Sequence, residues 1–218
     1  LGWYCKRGNE LLILSNNHVL ANENRGEEGD PILQPGPHDG GQKPEDICGE
    51  LFDFVPIRFS HYFCPWRRFF TKVGRFVLRE KAEPNLVDLA LCKPSVDVEK
   101  EIFTGEKPLV VRGKRDPKVG ETVKKSGRTT CLTGNGKVKM TKWRGMVTYS
   151  RGMAEFKDQI LVKARGFSAG GDSGSAVLDE DDNFIGLLFA GSKTTTIANK
   201  MSNVEKVGKV EVITVEAS

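Results

Sequence analysis

The chain has 218 residues, with 33 Lys+Arg against 29 Asp+Glu for a net charge of +4. With 38% apolar residues plus 24 glycines it can bury a core, which excludes wholesale disorder. No apolar run approaches the ~20 residues needed to span a bilayer, and the charge excess is too mild to argue for nucleic acid.

The first residues read as a hairpin. Trp3-Tyr4-Cys5 and Leu11 to Leu14 flank Arg7-Gly8-Asn9, β-prone runs around a turn sequence. Residues 21–50 are rich in Gly, Pro, Asn and Glu and read as a long surface loop. A second loop, from Lys93 to Gly120, carries the basic cluster Arg112, Lys114, Arg115 and Lys118, read as a solvated loop, a docking patch or a processing site. Further strands are expected over 145–150, 159–164, 175–178 and 184–190, the last two joined at Asp181-Asp182-Asn183. The 184–190 run is the longest apolar one and is strand-sized. One helix is expected from Lys200 to Val207, capped by Ser202 or Asn203 and stopped by Gly208. Short strands every 8–14 residues predict an all-β fold, barrel or sandwich. The expected division is residues 1–95, a linker over 96–118, a second unit over 119–199, and a helix and tail over 200–218.

Three segments carry candidate chemistry. Gly170-Gly171-Asp172-Ser173-Gly174-Ser175 places a serine among glycines that permit a tight turn with inward amides. Read alone, it is equally an ordinary loop. Asn16-Asn17-His18-Val19 sets one of only three histidines at the end of an apolar strand, as a general base or as a satisfied core histidine. Val87-Asp88-Leu89-Ala90-Leu91 sets an acid inside an apolar run, where a carboxylate needs a partner. That partner is an imidazole or a set of turn amides. The order His18, Asp88, Ser173 puts histidine and acid in the first portion and serine in the second, so a joint site lies in a cleft between them.

These segments resemble those of the trypsin-like serine peptidases of the chymotrypsin fold. SNNHV, VDLAL and GDSGS are similar to that family's histidine, aspartate and serine segments, in its chain order. Adding QPGP-x-DGG and SGRTT, the sequence is most similar to bacterial trypsin-like peptidases related to the plant narrow-leaf proteins. The resemblance implies two antiparallel β-barrels, the first with a long insertion, and a short C-terminal helix. It implies a serine endopeptidase with His18 as base and then acid, Asp88 orienting it, and Ser173 as nucleophile. Gly171 and Ser173 amides would form the oxyanion hole, and Phe189, Ala190 and Gly191 would hold substrate as an added strand. Phe167 and Ser168 would line the specificity pocket. No acid lies there, so the expectation is an uncharged P1 residue and no selection for Arg or Lys. The partners implied are a protein or peptide substrate and a regulatory partner or upstream domain, with no nucleic acid, no membrane, no metal and no other cofactor. The alternative is a catalytically silent binding module of the same fold.

Departures from the family are informative. Val19 stands where secreted relatives often have a disulfide cysteine, and five cysteines suit a reducing, cytoplasmic setting. Cys131 stands where relatives often have glycine. Asp172 is not expected to pair with Leu1, and zymogen activation by that route is not expected. Asn22 to Gly41 and Cys48 to Phe70 read as embellishments. His38, Cys48, His61 and Cys64 are metal-ligand types, but only the last two are tightly spaced. Cys48 and Cys64 would suit a disulfide in a secreted protein. Trp66-Arg67-Arg68-Phe69-Phe70 mixes aromatic and basic residues and reads chiefly as a packing segment rather than a recognition surface.

Overall fold

The computed structural model describes residues 2–60, 83–105 and 108–215. The chain begins with strands β1 (Tyr4–Arg7) and β2 (Glu10–Ser15), which pair antiparallel across a turn where Gly8 has φ +60°. A one-turn helix α1 (Asn17–Leu20) follows, then β3 (Pro31–Leu33), a 3-10 turn (Pro37–Asp39), β4 (Ile47–Phe54) and β5 (Ala90–Pro94). The second half contains β6 (Gly113–Lys114), β7 (Thr122–Gly127), β8 (Cys131–Tyr149), β9 (Gly152–Lys163), β10 (Ala176–Leu178), β11 (Asn183–Gly191) and β12 (Thr195–Lys200). Helix α2 (Met201–Gly208) and strand β13 (Glu211–Val212) end it.

The strands form two antiparallel barrels. The first sheet has the order β13-β1-β2-β5-β4-β3, so the tail of the chain returns to the first strand. In the second, β10-β7-β8-β9-β12-β11 closes into a ring through the β10–β11 pairing, and β6 adds in parallel to β11. Strand β2 explains how the barrels adhere. Leu12 and Leu14 are fully buried in a cluster that also takes Leu178, Phe184 and Leu187 from the second sheet and Val204 from α2. Ile13 points the other way, into a cluster with Ile32, Leu51 and Cys92. Both faces of this strand are therefore covered, which accounts for its unbroken apolar run.

Several expectations need correction. The stretch 21–50 is not one loop: Ile32 and Cys48 are buried, and β3 and the start of β4 belong to the first sheet. Pro31 fits because it opens β3, the edge strand. The segment Cys48–Phe54 is likewise no embellishment, since β4 pairs with both β3 and β5. The runs 145–150 and 159–164 are parts of one long hairpin, β8–β9. The helix runs one residue later than expected, with Lys200 at its N-cap and Gly208 inside it. Asn203 does not cap; its amide donates to Asp158. Lys209, not Gly208, adopts the left-handed stop, and Gly208 lies in the last turn of the helix against Leu89. The basic cluster is mostly ion-paired: Arg112 with Asp182, Lys114 with Glu205, and Arg115 with Glu121 and Asp179. Among the described residues no helix is long and apolar enough to cross a membrane.

The register of β2 is testable by a neighbouring pair of truncations. Leu12→Ala should cost about 2–5 kcal/mol of unfolding free energy in urea, and Leu11→Ala, exposed near the start of the strand, less than about 1 kcal/mol. Equal losses would show that the register is wrong.

Candidate active site

Strand β2 ends at Ser15, and Asn16, in an extended conformation, starts α1, so His18 sits in the turn just beyond the strand. Its Nδ1 lies 2.6 Å from Asp88 Oδ2, and its backbone N–H donates to Asp88 Oδ1 at 3.2 Å. The Asp88 side chain is completely buried and that of His18 is about one-fifth exposed. A carboxylate on Nδ1 fixes the neutral ring with its hydrogen there, leaving Nε2 as the free acceptor.

Asp88 is held from both barrels. Its carbonyl accepts from Asn16 Nδ2 (2.8 Å) and Asn199 Nδ2 (3.1 Å), and its N–H donates to Asn199 Oδ1 (3.1 Å). The Tyr149 hydroxyl donates to Asp88 Oδ2 at 2.9 Å, and its ring meets the His18 ring edge-on. Burial and the neighbouring Asp88 charge both raise the Tyr149 hydroxyl far above its ordinary range, so it stays a donor. Tyr149 stands at the tip of the β8–β9 hairpin, and that tip is anchored. Ser150 N–H, Ser150 Oγ and Arg151 N–H all donate to the Glu23 carboxylate at 2.7–3.0 Å. Burial would raise the Glu23 carboxyl, but these donors and Arg25 together hold it below its usual value. Glu23 lies in the middle of three successive left-handed residues, Asn22, Glu23 and Asn24. Neither Tyr149, Asn199 nor Glu23 carried a motif in the sequence; each arrives from at least 61 residues away from its partner.

The serine loop is built around a second buried carboxylate. Asp172 accepts from the N–H groups of Ala169 (2.9 Å), Thr129 (2.8 Å) and Thr130 (3.2 Å) and from Thr130 Oγ1 (2.7 Å). The ammonium of Lys125, wholly buried, lies 3.3 Å away and also donates to Thr130 Oγ1 and to the Cys131 carbonyl. Burial would raise the Asp172 carboxyl, but these amides, the hydroxyl and Lys125 more than offset it and hold it low. Burial pushes Lys125 down as well, against the pull of Asp172. The SGRTT segment is thus the other half of the serine loop, and Cys131 takes the left-handed φ of +49° that its glycine-like position requires. Gly171 (φ +99°) and Gly174 (φ +88°) flank the turn. The N–H groups of Gly171 and Ser173 donate to no acceptor among the described residues, whereas Asp172 and Gly174 donate to Ala169 O and Leu188 O. A Cβ on Gly174 would lie 2.5 Å from Ser15 Oγ, so the bare glycine lets the serine loop close onto the strand that carries His18.

No family model matches this sequence, and no curated protein is similar to it. Solved structures are. Protease A of Thermobifida fusca superposes with a TM-score of 0.64 at 15% identity, covering 99% of this chain and 91% of that one. A Nocardiopsis protease gives 0.63 at 14% identity over 98% and 92%. A chymotrypsin of Cellulomonas bogoriensis gives 0.61 at 16% identity over 99% and 90%. The chain has the chymotrypsin fold.

In this chymotrypsin fold, open space surrounds Ser173 on both sides. A pocket of about 350 Å³ is bounded by Ser168 to Gly170, Ser173, Leu188 and Ala190 to Lys193. It adjoins a cleft of about 640 Å³ walled by His18, the β8–β9 hairpin and Phe189 to Ser192. A third cleft, about 450 Å³, runs from Ser173 past Gly127, Arg128 and Phe103. Among the described residues the edge of β11 beyond Leu188 is unpaired on the side away from β12. Ser168 lines the small pocket and its Oγ lies 2.5 Å from Thr196 Oγ1. Phe167 does not line it: its ring is buried in the core of the second barrel, packed near Gly136, and Ser168 takes the pocket wall.

Of the four metal-ligand types singled out in the sequence, Cys48 and His38 are described. Cys48 is buried with its thiol on the Ile32 carbonyl, and His38 is on the 3-10 turn. His61, Cys64 and the Trp66 to Phe70 run lie outside the described residues. Among the described residues no three such ligands cluster.

Glu23, Asp158, Asp172 and Asp179 are all held below their ordinary carboxyl values. Their folded forms bind protons less readily than the unfolded chain, so their stabilisation is complete above the unfolded values and is lost as pH falls through the folded ones. The urea midpoint should therefore drop steeply from pH 5 to pH 2.5, and Glu23→Gln should flatten that drop. A midpoint independent of pH in this window would contradict the geometry.

Proposed function

We propose that the chain is a serine endopeptidase that cleaves peptide bonds through an acyl-enzyme. The observation that carries this reading is the 2.6 Å contact of His18 Nδ1 with a wholly buried Asp88, beside a Ser173 loop with two unpaired amides. His18 Nε2 takes the Ser173 proton as Oγ attacks the substrate carbonyl, then returns it to the leaving amine. Asp88 orients the ring and stabilises the imidazolium. The Gly171 and Ser173 amides receive the developing oxyanion, and Asp172 with Lys125 holds them in place before substrate arrives. Phe189 to Gly191 offer an open strand edge to the substrate backbone. The chemistry asks for no metal or organic cofactor. Kinship with the bacterial trypsin-like peptidases related to the plant narrow-leaf proteins, and a cytoplasmic setting, belong to the same proposal. The free Cys5, Cys48, Cys92 and Cys131 suit the latter.

A fluorophosphonate probe tests it. Stoichiometric labelling is expected, lost in Ser173→Ala and greatly slowed in His18→Ala. Folded protein that takes no label would instead be a silent binding module. Asp88→Asn should lower kcat by about 10³–10⁴, as in other Ser-His-Asp enzymes.

Tyr149→Phe checks the positioning role of the hairpin. Loss of one donor to a charged acceptor should lower kcat about tenfold. Because the bond acts on Asp88, the loss should fall on kcat, with KM for the same substrate changed less than about twofold. A kcat within about twofold of wild type would make Tyr149 a packing residue only.

A further inference from the structure

The two segments that build the pocket beside Ser173 share an unusual charge pattern. Between Gln159 and Gly171, and between Phe184 and Glu205, the sequence contains no acidic residue. The cations in those stretches are Lys163, Arg165, Lys193 and Lys200. Lys200 is paired with Asp158, whereas Lys163, Arg165 and Lys193 are exposed and have no salt bridge among the described residues. They are neighbours in space. Gly166 N–H donates to the Lys193 carbonyl, Ala164 N–H to that of Thr194, and Lys163 lies opposite Thr195. Lys137 adds to them, because it faces Lys163 directly across the β8–β9 pairing. Like charges placed opposite one another on a sheet cost stability, so this grouping is not explained by folding. Lys193 also lines the 350 Å³ pocket, while Ser168 supplies a hydroxyl in its wall.

We propose that the pocket selects a substrate with a carboxylate side chain, glutamate or aspartate, at the residue whose carbonyl is attacked. This rests on the serine peptidase reading above. The Lys193 ammonium meets the carboxylate at the rim, the Ser168 hydroxyl provides a donor deeper in, and Lys163 and Arg165 add a field that favours acidic and disfavours basic side chains. It replaces the expectation of an uncharged side chain, which counted the missing acids but not the cations brought round by the β9–β12 pairing. One exposed ion pair is worth up to about fivefold. With the hydroxyl donor and the neighbouring cations, discrimination of about tenfold follows. It should weaken with salt, because the rim is open to solvent.

The test uses peptide amides identical except for Glu, Gln or Lys at that residue, with competent enzyme counted by fluorophosphonate titration, which does not depend on that side chain. Expected is kcat/KM for Glu about tenfold above Gln, with Lys slowest, and a gap that narrows in 0.5 M NaCl. Lys193→Met should collapse the Glu/Gln ratio to about two or less. Lys206→Met, the same charge change on α2, should leave the ratio and the rates as they were. A labelled enzyme that cleaves Gln as fast as Glu overturns the proposal, and so does a ratio unchanged in Lys193→Met. Absence of labelling overturns the peptidase reading beneath it, a separate failure with a separate readout.

Discussion

The structure turns on a carboxylate that cannot reach water. Asp88 is fully buried, and a buried anion is tolerated only where donors surround it. Here they come from unrelated parts of the chain: the His18 ring and amide, the Tyr149 hydroxyl at the end of a hairpin, and the asparagines that clamp its backbone. Asn16 belongs to the first barrel and Asn199 to the second, so the same residue that orients the imidazole also fixes how the barrels meet. Stability and chemistry share one set of hydrogen bonds.

A second buried acid does for the serine what the first does for the histidine. Asp172 gathers amides from Ala169, Thr129 and Thr130 and faces a lysine from inside the same barrel. Because Lys125 is an interior strand residue, these donors to Asp172 among the described residues come from the second barrel itself. The paired burial of Lys125 and Asp172 is costly in isolation, and the hydroxyl and carbonyl around it make it acceptable.

Much of this was legible in the sequence for a simple reason: the chemistry is carried by short segments whose local needs are strict. An acid between Val87 and Leu89 must have a partner, and GDSGS needs glycines at left-handed positions. The barrels were legible because short β-prone runs are punctuated by turn residues. What escaped reading lay in long-range pairing. Ile32 and Cys48 are buried because β4 sits between β3 and β5, which no local pattern in a Pro- and Gly-rich stretch announces. Phe167 left the pocket wall to Ser168 because its ring fills the core of the second barrel, in an irregular segment after β9 where no local pattern tells one side from the other. Tyr149 could not be found at all, since its function depends on the reach of a hairpin whose tip touches the opposite barrel.

That hairpin has an architectural consequence. Its tip is tied to Glu23, on a left-handed turn two short steps beyond the histidine helix, while its base is woven into the second barrel. It therefore bridges the groove like a beam resting on two supports. The span between Trp143 and Val147 forms one bank of the cleft but takes no part in the contacts at Asp88. Trp143 and Val147 are committed to packing on Phe156 and Phe189, but exposed positions such as Met146 can change and reshape what the groove admits while the hydrogen bonds at Asp88 beneath stay where they are.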